Sequence, residues 1–374
     1  MHRIVSSATR SPLLTLRSIT VFVMCGILFA AASAAGVTLT GTVLGPDEAP
    51  VAGLTLEAGS SQAVTDDAGA FRLTGLDSGD TIVRLSGDAG EGRVAVAVGQ
   101  GETSVMLTYP VITTVVLLHD NDTHFDFNYI EAFSAKVESI REQYANVYLL
   151  NAGDIFVRHA DRWAEPNDVA YYRERSAFMI TTMNAVGFDA CTLGNHELFY
   201  IEGHTREALE LAEFPLLSAN IRLDTDKLPP LKPYVVFETD NGLSLAVLGL
   251  SRANRRPGVE VLDFIETARE YAHLADEHDL FVALTHIGLR TDRELAEAMP
   301  ELDVIIGGHS HNVLGEGERV NGVLIGMAGG APHQEDPERP KYLGKIRVTL
   351  ENGRVIDKTA RVFIFEAEVA QPVS

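Results

Sequence analysis

Cysteine is almost absent from this chain of 374 residues, which contains only Cys25 and Cys191. Cys25 lies in an N-terminal leader that we expect to be removed, so the mature chain would keep one thiol. A single cysteine cannot form an intrachain disulfide, even in an oxidising compartment. Disulfide bonds are therefore excluded as the framework of the fold.

Basic residues are also scarce relative to acidic ones. Lys and Arg number 30 against 52 Asp and Glu, which gives a formal net charge of −22. A field of this sign repels polyanions, so we expect no nucleic acid among the partners of the protein. With 46% hydrophobic and 22% charged residues, the composition is typical of a folded globular protein rather than a disordered one.

No apolar run is long enough for a well-formed membrane span. The longest, from Ile19 to Ala32, is shorter than the roughly 20 residues that a spanning helix needs. It follows a leader with Arg3, Arg10 and Arg17 and precedes the small residues Ala32-Ser33-Ala34. We therefore expect residues 1–36 to be a signal peptide cleaved near Ala34, and the protein to be secreted or periplasmic with no stable span. The alternative is a retained N-terminal membrane anchor, and the oligomeric state is left open.

Residues 37–109 have the pattern of a small all-β sandwich. Short alternating apolar runs are separated by Gly, Asp and Pro about every eight to twelve residues. The segment resembles the carboxypeptidase regulatory-like domain, a transthyretin-like sandwich, in Gly41-Thr42-Val43, Ala49-Pro50-Val51-Ala52-Gly53 and Thr65-Asp66-Asp67-Ala68-Gly69-Ala70-Phe71. We expect this unit to pack, tether or solubilise rather than to catalyse.

From Val111 onward the pattern changes to strand, loop and helix, which predicts an α/β fold. Five apolar strands each end in His, Asp or Asn: Val111–Leu118, Val147–Leu150, Asp189–Leu193, Leu280–Leu284 and Val304–Ile306. Amphipathic helices are predicted at Tyr129–Tyr144, Asp168–Val186, Arg206–Ala212, Ile265–Asp276 and Asp292–Met299. Loops at the carboxyl ends of such strands are where α/β proteins bind ligands.

Those loops together supply oxygen and nitrogen donors but no thiolate. The candidate ligands are Asp122, His124, Asp154, Asn195, His286, His309 and His311. This set suits Mn, Zn, Fe or Mg, and it is too large for one ion, so we predict two divalent cations. If the end of its strand stayed extended, Asp122-x-His124 would place both side chains on one face. Any one of these elements alone would more simply be a turn or a core histidine.

Five sequence blocks resemble the signatures of the calcineurin-like metallophosphoesterases. They are Asp122-Thr123-His124, Gly153-Asp154, Gly194-Asn195-His196-Glu197, Thr285-His286-Ile287-Gly288 and Gly307-Gly308-His309-Ser310-His311. Within that superfamily the chain is similar to the catalytic domain of the bacterial 5′-nucleotidase, UDP-sugar hydrolase and cyclic-nucleotide phosphodiesterase group. We assign this domain to residues 110–366, and residues 367–374 to a tail.

The resemblance implies a four-layer fold with two packed mixed sheets flanked by helices. It also implies that Asp122, His124 and His311 bind one metal, that Asn195, His286 and His309 bind the second, and that Asp154 bridges them. His196 would stabilise or protonate the departing ester, with Asp154 and Asn195 also catalytic. The predicted reaction is in-line attack on phosphorus by a hydroxide between the two metals, with no covalent enzyme intermediate.

Three departures from the family pattern concern the substrate. Phe199 occupies the position where an Asp commonly orients the catalytic histidine, so Glu197 or a residue from elsewhere would have to replace it. Phe125 stands where a small residue is usual, either as a wall for a leaving group or as core packing. The chain ends at Ser374, without the further domain that holds the nucleobase in this group.

Substrate contacts are expected from Asn195, His196 and Arg158. Arg158 lies in a stretch from Phe156 to Trp163 that is either a substitute rim of the pocket or a surface loop. The sequence thus predicts a secreted dinuclear-metal phosphoesterase for phosphate monoesters, nucleotides among them. The alternatives are a related two-metal hydrolase of cyclic nucleotides, nucleotide sugars or a sulfur ester, and a non-catalytic binding protein of the cell envelope for metals and a phosphorylated ligand. A further alternative is an envelope interaction module in which the sandwich is the active part.

Overall fold

The computed structural model describes residues 36–88, 90–126, 129–157, 169–198, 203–224, 228–253, 258–330 and 341–365. The predicted leader, Arg158 and Phe199 lie outside these residues. Within the described ranges, every helix is too short or too polar to cross a bilayer.

Residues 37–108 form seven strands in two small sheets. The strands are β1 (Val37–Leu44), β2 (Thr55–Ala58), β3 (Ser61–Val64), β4 (Ala70–Leu76), β5 (Gly79–Gly87), β6 (Gly90–Val98) and β7 (Glu102–Thr108). One sheet has the order β4-β1-β7 and the other β3-β2-β5-β6. Alternate residues of β7 are buried, as expected where one face of a strand packs on a core, here with Leu39, Leu56 and Leu85. The predicted β character of this segment is found, while its likeness to a regulatory-like domain stays a prediction.

The described residues beyond 108 build two six-stranded sheets and one two-stranded sheet. Their strands are β8 (Ile112–Asp120), β9 (Asn146–Asn151), β10 (Ala190–Thr192), β11 (Leu216–Leu217), β12 (Ile221–Leu223), β13 (Tyr234–Glu238), β14 (Ser244–Ser251), β15 (Val259–Val261), β16 (Leu280–His286), β17 (Val304–Ile306), β18 (Glu318–Val320), β19 (Val323–Gly326), β20 (Lys341–Glu351) and β21 (Arg354–Phe365). The larger sheets have the orders β11-β10-β9-β8-β20-β21 and β13-β14-β16-β17-β19-β18, and β12 pairs with β15. Both larger sheets combine parallel and antiparallel pairs.

Six helices connect these strands within the described ranges. They are α1 (Ile130–Arg141), α2 (Val169–Val186), α3 (Gly203–Leu209), α4 (Phe264–Glu270), α5 (Leu274–Glu277) and α6 (Leu289–Ala298). One predicted helix, Ile265–Asp276, is wrong as a single element, because the chain leaves helical geometry at Tyr271 and divides it into α4 and α5. The helix α6 begins three residues before its predicted start, because Gly288, at φ 88°, turns the chain directly into it.

Three cores show that the layers are stacked as helix, sheet, sheet and helix. Side chains from both large sheets meet in a central core that includes Leu117, Val247 and Ile346. A second core lies between the first sheet and α1 to α3, and a third between the second sheet and α4 to α6. The predicted four-layer α/β fold is thus confirmed.

The small sheets contact this fold at the amino ends of β8 and β14. The Asn241 side chain donates to the Arg93 carbonyl (2.9 Å) and to Thr113 Oγ1 (2.7 Å). Val111 and Asn352 exchange two hydrogen bonds at the start of β8. The carboxyl ends of the same strands therefore stay free of these contacts among the described residues.

Candidate metal centre

Six of the seven predicted ligands lie in loops at the carboxyl ends of β8, β9, β10 and β17, and the seventh, His286, is the last residue of β16. In the first sheet β8, β9 and β10 are parallel neighbours, and in the second sheet β16 and β17 are. Parallel neighbours end at the same edge, so each sheet brings its loops together. The hydrogen bond from the His309 amide to Asp122 Oδ2 (2.9 Å) joins the loops of one sheet to those of the other.

A first group of side chains consists of Asp122, His124 and His311. One donor atom from each lies within 4.8 Å of the others. His311 Nε2 is 3.1 Å from Asp122 Oδ1 and 3.4 Å from His124 Nε2. Three donors that converge in this way can bind one cation.

A second group consists of Asp154, His286 and His309, again within 4.8 Å of one another. His286 Nε2 lies 3.2 Å from Asp154 Oδ2. Asp154 also forms a third group with His124 and His196. The Nε2 atom of His196 is 3.7 Å from Asp154 Oδ2. Asp154 is therefore the carboxylate shared between the two sides of the site.

The backbone of these loops is unusual. Among the predicted ligands, a positive φ is found at Asp122 (53°), His124 (46°), Asp154 (55°), His309 (77°) and His311 (54°). Residues with a side chain rarely adopt this left-handed region, and such strain is concentrated at functional sites. The premise that the end of β8 stays extended is wrong, because β8 ends at Asp120 and a left-handed turn brings the two side chains together.

Two glycines permit the close approach of these loops. Gly153 has a φ of 84°, and a Cβ added there would lie 2.6 Å from the Gly194 backbone nitrogen. A Cβ added at Gly194 would in turn collide with the carboxylate of Asp154. Only glycine at these positions lets the loops after β9 and β10 meet around that carboxylate.

Backbone carbonyls orient the imidazoles. His286 Nδ1 is 2.7 Å from the Ala152 carbonyl, and Nδ1 of both His124 and His196 is 3.1 Å from the Phe156 carbonyl. A Nδ1–H that donates to a carbonyl leaves Nε2 directed towards the carboxylates, which is the usual outer support of a metal-binding histidine.

The orienting group for His196 is thus the Phe156 carbonyl. Glu197, which we had considered for that role, instead accepts hydrogen bonds from the backbone N–H groups of Asp154 (3.0 Å), Phe156 (2.8 Å) and Gly194 (2.8 Å). Glu197 therefore fixes the backbone at Phe156, whose carbonyl supports both histidines. It acts on His196 through this backbone and does not contact the imidazole as an orienting group.

The electrostatics of the site favour positive charge beside two ionised carboxylates. Burial alone would raise the pKa of Asp154, yet the imidazoles of His286 and His196 hold it well below its usual range. Burial alone would lower the pKa of His286, but Asp154 and Asp122 raise it to about 10. Burial and the neighbouring His286 lower the pKa of His309 to about 4, which leaves it a neutral ligand near pH 7.

Three buried polar atoms at this site fit a cation. Asn195 Oδ1 has no hydrogen bond among the described residues, and neither does Asp122 Oδ1 or His286 Nε2, whose contacts with His311 and Asp154 lack hydrogen-bond geometry. Buried polar atoms are almost always satisfied, so orphaned atoms of ligand type point to a missing partner. Carboxylate, amide and imidazole donors suit the divalent cations predicted from the sequence.

The outcomes for the remaining predicted residues differ. Phe125 is buried at 3% exposure against Phe156 and Tyr172, with ring centroids 5.7 and 5.4 Å apart, so core packing is the correct interpretation. Arg158 lies outside the described residues, and its substrate contact stays a prediction.

Sequence reasoning missed Asn121, the Phe156 carbonyl and Arg252. Asn121 donates to Asp122 Oδ2 (2.6 Å) and to the Gly329 carbonyl, and it accepts from Ala328 N (3.0 Å). Asn121 directly precedes Asp122 in the polar stretch after β8, where its polarity was the available signal. A supporting carbonyl has no such signal, because every residue has one.

Comparison with known proteins agrees with this fold. The family model described as calcineurin-like phosphoesterase matches residues 115–313. The chain is 27% identical over 289 residues to the trifunctional nucleotide phosphoesterase YfkN of Bacillus subtilis, covering 65% of this chain and 18% of YfkN. It is 30% identical over 216 residues to the NAD 5′-nucleotidase of Haemophilus influenzae, covering 55% and 34% of the two chains.

A solved structure with the same fold is that of the Haemophilus influenzae NAD nucleotidase. The TM-score is 0.55 at 23% identity, covering 68% of this chain and 50% of the other. The chain thus spans half or less of the length of these relatives. Because the family model matches more than half of its residues, this chain belongs to the calcineurin-like phosphoesterases. That membership confirms the predicted enzyme class, the metal-dependent phosphoester hydrolases.

Proposed function

We propose that this protein hydrolyses phosphate monoesters, nucleotides among them, outside the cytoplasm. The observation that carries the proposal is the position of Asp154, whose carboxylate belongs to the group with His286 and His309 and also lies near His196 and near His124 of the first group. A single structural metal would need only one such group. The extracytoplasmic location rests on the leader sequence alone.

Two divalent cations, Mn, Zn, Fe or Mg, would occupy the site. Asp122, His124 and His311 would hold one, and Asn195, His286 and His309 the other, with Asp154 shared between them. When bound, such a pair supplies a nucleophilic water at neutral pH and offsets charge on the phosphoryl oxygens.

The chain itself provides proton transfer and orientation. Donation from His196 Nδ1 to the Phe156 carbonyl fixes the ring, so Nε2 is the atom that faces the shared carboxylate. A protonated Nε2 can give its proton to the departing ester oxygen or stabilise the phosphoryl group. The His196 amide donates to Asp154 Oδ1 (2.8 Å), which fixes the carboxylate relative to the imidazole.

Nucleotides are proposed as substrates on the basis of the relatives. YfkN and the NAD 5′-nucleotidase are named for nucleotide substrates. The similarity covers only 18% and 34% of the lengths of these relatives, so it supports the phosphate chemistry more strongly than the choice of base.

The test is phosphate release by the full chain with added Mn²⁺. The panel would contain a nucleoside 5′-monophosphate, a cyclic nucleotide, a nucleotide sugar and p-nitrophenyl phosphate. A thiosulfate ester would be tested in parallel, with its own hydrolysis products measured instead of phosphate. We expect the monoesters to react fastest, EDTA to abolish the activity and Mn²⁺ to restore it. Bound metals without hydrolysis of any ester would contradict the proposal and favour the binding protein. Faster turnover of another member of the panel would favour the alternative hydrolase.

A further inference from the structure

Arg252 is a cationic residue near the candidate metal centre and is not one of the predicted ligands. It directly follows β14, whose last residue, Ser251, pairs in register with His286 of β16. The two strands are parallel, so Arg252 begins a loop at the same edge of the sheet as a predicted metal ligand.

The guanidinium group is held close to that ligand. Arg252 Nη1 donates to the carbonyl of Ile287 (3.3 Å), the residue after His286. Gly288, the residue after Ile287, lies against the ring of His309, since a Cβ added there would be 3.3 Å from His309 Cδ2.

Arg252 has no partner of opposite charge within the described part of the chain. Lys341 differs, because it forms a buried ion pair with Asp126. The Arg252 side chain is exposed, so an anion can reach the remaining N–H groups of its fork from solvent.

A fixed positive charge has a clear use here. The net charge of −22 repels an approaching phosphate ester, and a local cation offsets that field near the site. Arginine is the side chain whose planar fork matches two oxygens of a phosphoryl group.

We propose that Arg252 binds non-bridging oxygens of the substrate and selects the dianion of a phosphate monoester over the monoanion of a diester. This inference rests on the proposed function. Because Coulomb energy scales with the product of the charges, a cation interacts about twice as strongly with a dianion as with a monoanion in the same place. Arg252 thus affects the preference between monoesters and diesters, whereas the metal ligands are needed for hydrolysis of both.

The experiment compares Arg252→Ala and Arg252→Lys with the unmodified full chain. The substrates are p-nitrophenyl phosphate and bis-p-nitrophenyl phosphate, both with Mn²⁺. We expect kcat/KM for the monoester to fall about 10- to 100-fold in Arg252→Ala, mainly through KM, as for loss of a charged hydrogen bond. The ratio of monoester to diester activity should fall about fivefold, and Arg252→Lys should recover part of it.

Arg290→Ala is the matched control. Arg290 is an arginine at the start of α6, four residues after His286, but its side chain is 91% exposed and pairs with Glu294. We expect this variant to keep both activities. An equal loss for both substrates in Arg252→Ala, or the same loss in Arg290→Ala, would overturn the selection role.

A binding measurement separates this inference from the proposed function. Inorganic phosphate is titrated calorimetrically into the Mn²⁺-loaded protein, and metal content is measured on the same samples. We expect Arg252→Ala to bind phosphate at least about tenfold more weakly with unchanged metal content. Unchanged phosphate affinity would overturn the inference even if the enzyme is active. An unmodified chain that hydrolyses no ester would overturn the proposed function, whatever the affinity for phosphate.

Discussion

The two ends of the parallel strands differ in how their polar groups are used. At the amino ends, the Asn241 amide is satisfied on both sides, since it donates to the Arg93 carbonyl and Thr113 and accepts from Thr239 Oγ1 (2.7 Å). At the carboxyl ends, Asp122 Oδ1 and His286 Nε2 are buried without a hydrogen bond among the described residues.

This difference separates a stabilising end of the fold from a binding end. Satisfied polar groups at the amino ends attach the small sheets and stabilise the fold. The carboxyl ends combine left-handed backbone and orphaned donor atoms, both of which cost stability unless a ligand uses them. Substitutions at the amino ends should therefore lower stability, whereas substitutions at the carboxyl ends should lower metal binding and turnover.

The largest effect is expected for Asp154→Asn. The amide can still accept from the His196 amide, but the charge shared by the two ligand groups is lost. We expect activity at background and at least one cation fewer per chain, measured by elemental analysis. The matched control is Asp279→Asn at the amino end of β16, where the carboxylate accepts from Ser244 N (2.8 Å). Full activity of Asp154→Asn, or equal losses in both variants, would contradict the assignment.

His196→Ala comes next. Loss of a general acid costs roughly 100- to 10,000-fold in turnover, while the ligands around both cations remain. We expect kcat to fall in that range with metal content nearly intact. His278→Ala serves as the control, because His278 contacts Ser244 Oγ at the opposite end of the strands (3.1 Å). If His196→Ala loses its metals, His196 is a ligand rather than the proton donor.

Glu197→Gln should have a smaller effect, because Glu197 acts through the backbone. One of its oxygens accepts from Phe156 N and the other from both Asp154 N and Gly194 N, and an NH2 group can replace neither. Loss of such outer support typically costs about 10- to 100-fold in metal affinity or activity. Turnover measured against Mn²⁺ concentration would show this as a higher Mn²⁺ requirement. A lower melting temperature with an unchanged Mn²⁺ dependence would show that the role of Glu197 is purely structural.

The strands that precede the candidate ligands and most of the outer helices could be predicted from the sequence, whereas the assignment of those side chains as ligands stays a prediction. Each strand before a ligand loop is a short apolar run, so its composition predicts the strand. The polar residue after the run marks the end of the strand. The run Val304–Ile306 became β17 without change, and β16 needed only to be extended to His286. Apolar periodicity likewise located the outer helices, apart from the break at Tyr271.

The shape of the loops could not be predicted, because it depends on groups without a sequence signal. Left-handed backbone at Asp122 and His309 is imposed by the surrounding contacts, whereas at a glycine it could have been expected. The Phe156 carbonyl supports two histidines, yet any residue offers a carbonyl. Arg252 could not be distinguished from the other arginines in the sequence, because its position near His286 follows only from the strand register.

The smallest effect on catalysis is expected for Asn241→Ala, and this variant tests the amino end directly. It removes two donations and one acceptance in a buried position, so the free energy of unfolding should fall by about 1–3 kcal/mol. Thermal unfolding measures that loss, while kcat and metal content should match the unmodified chain. Gln100→Ala provides an exposed amide as control, since Gln100 donates only to Ser78 Oγ among the described residues. A change of kcat in Asn241→Ala would mean that the two ends are coupled through the strands, because Asn241 lies at the opposite end from every predicted ligand.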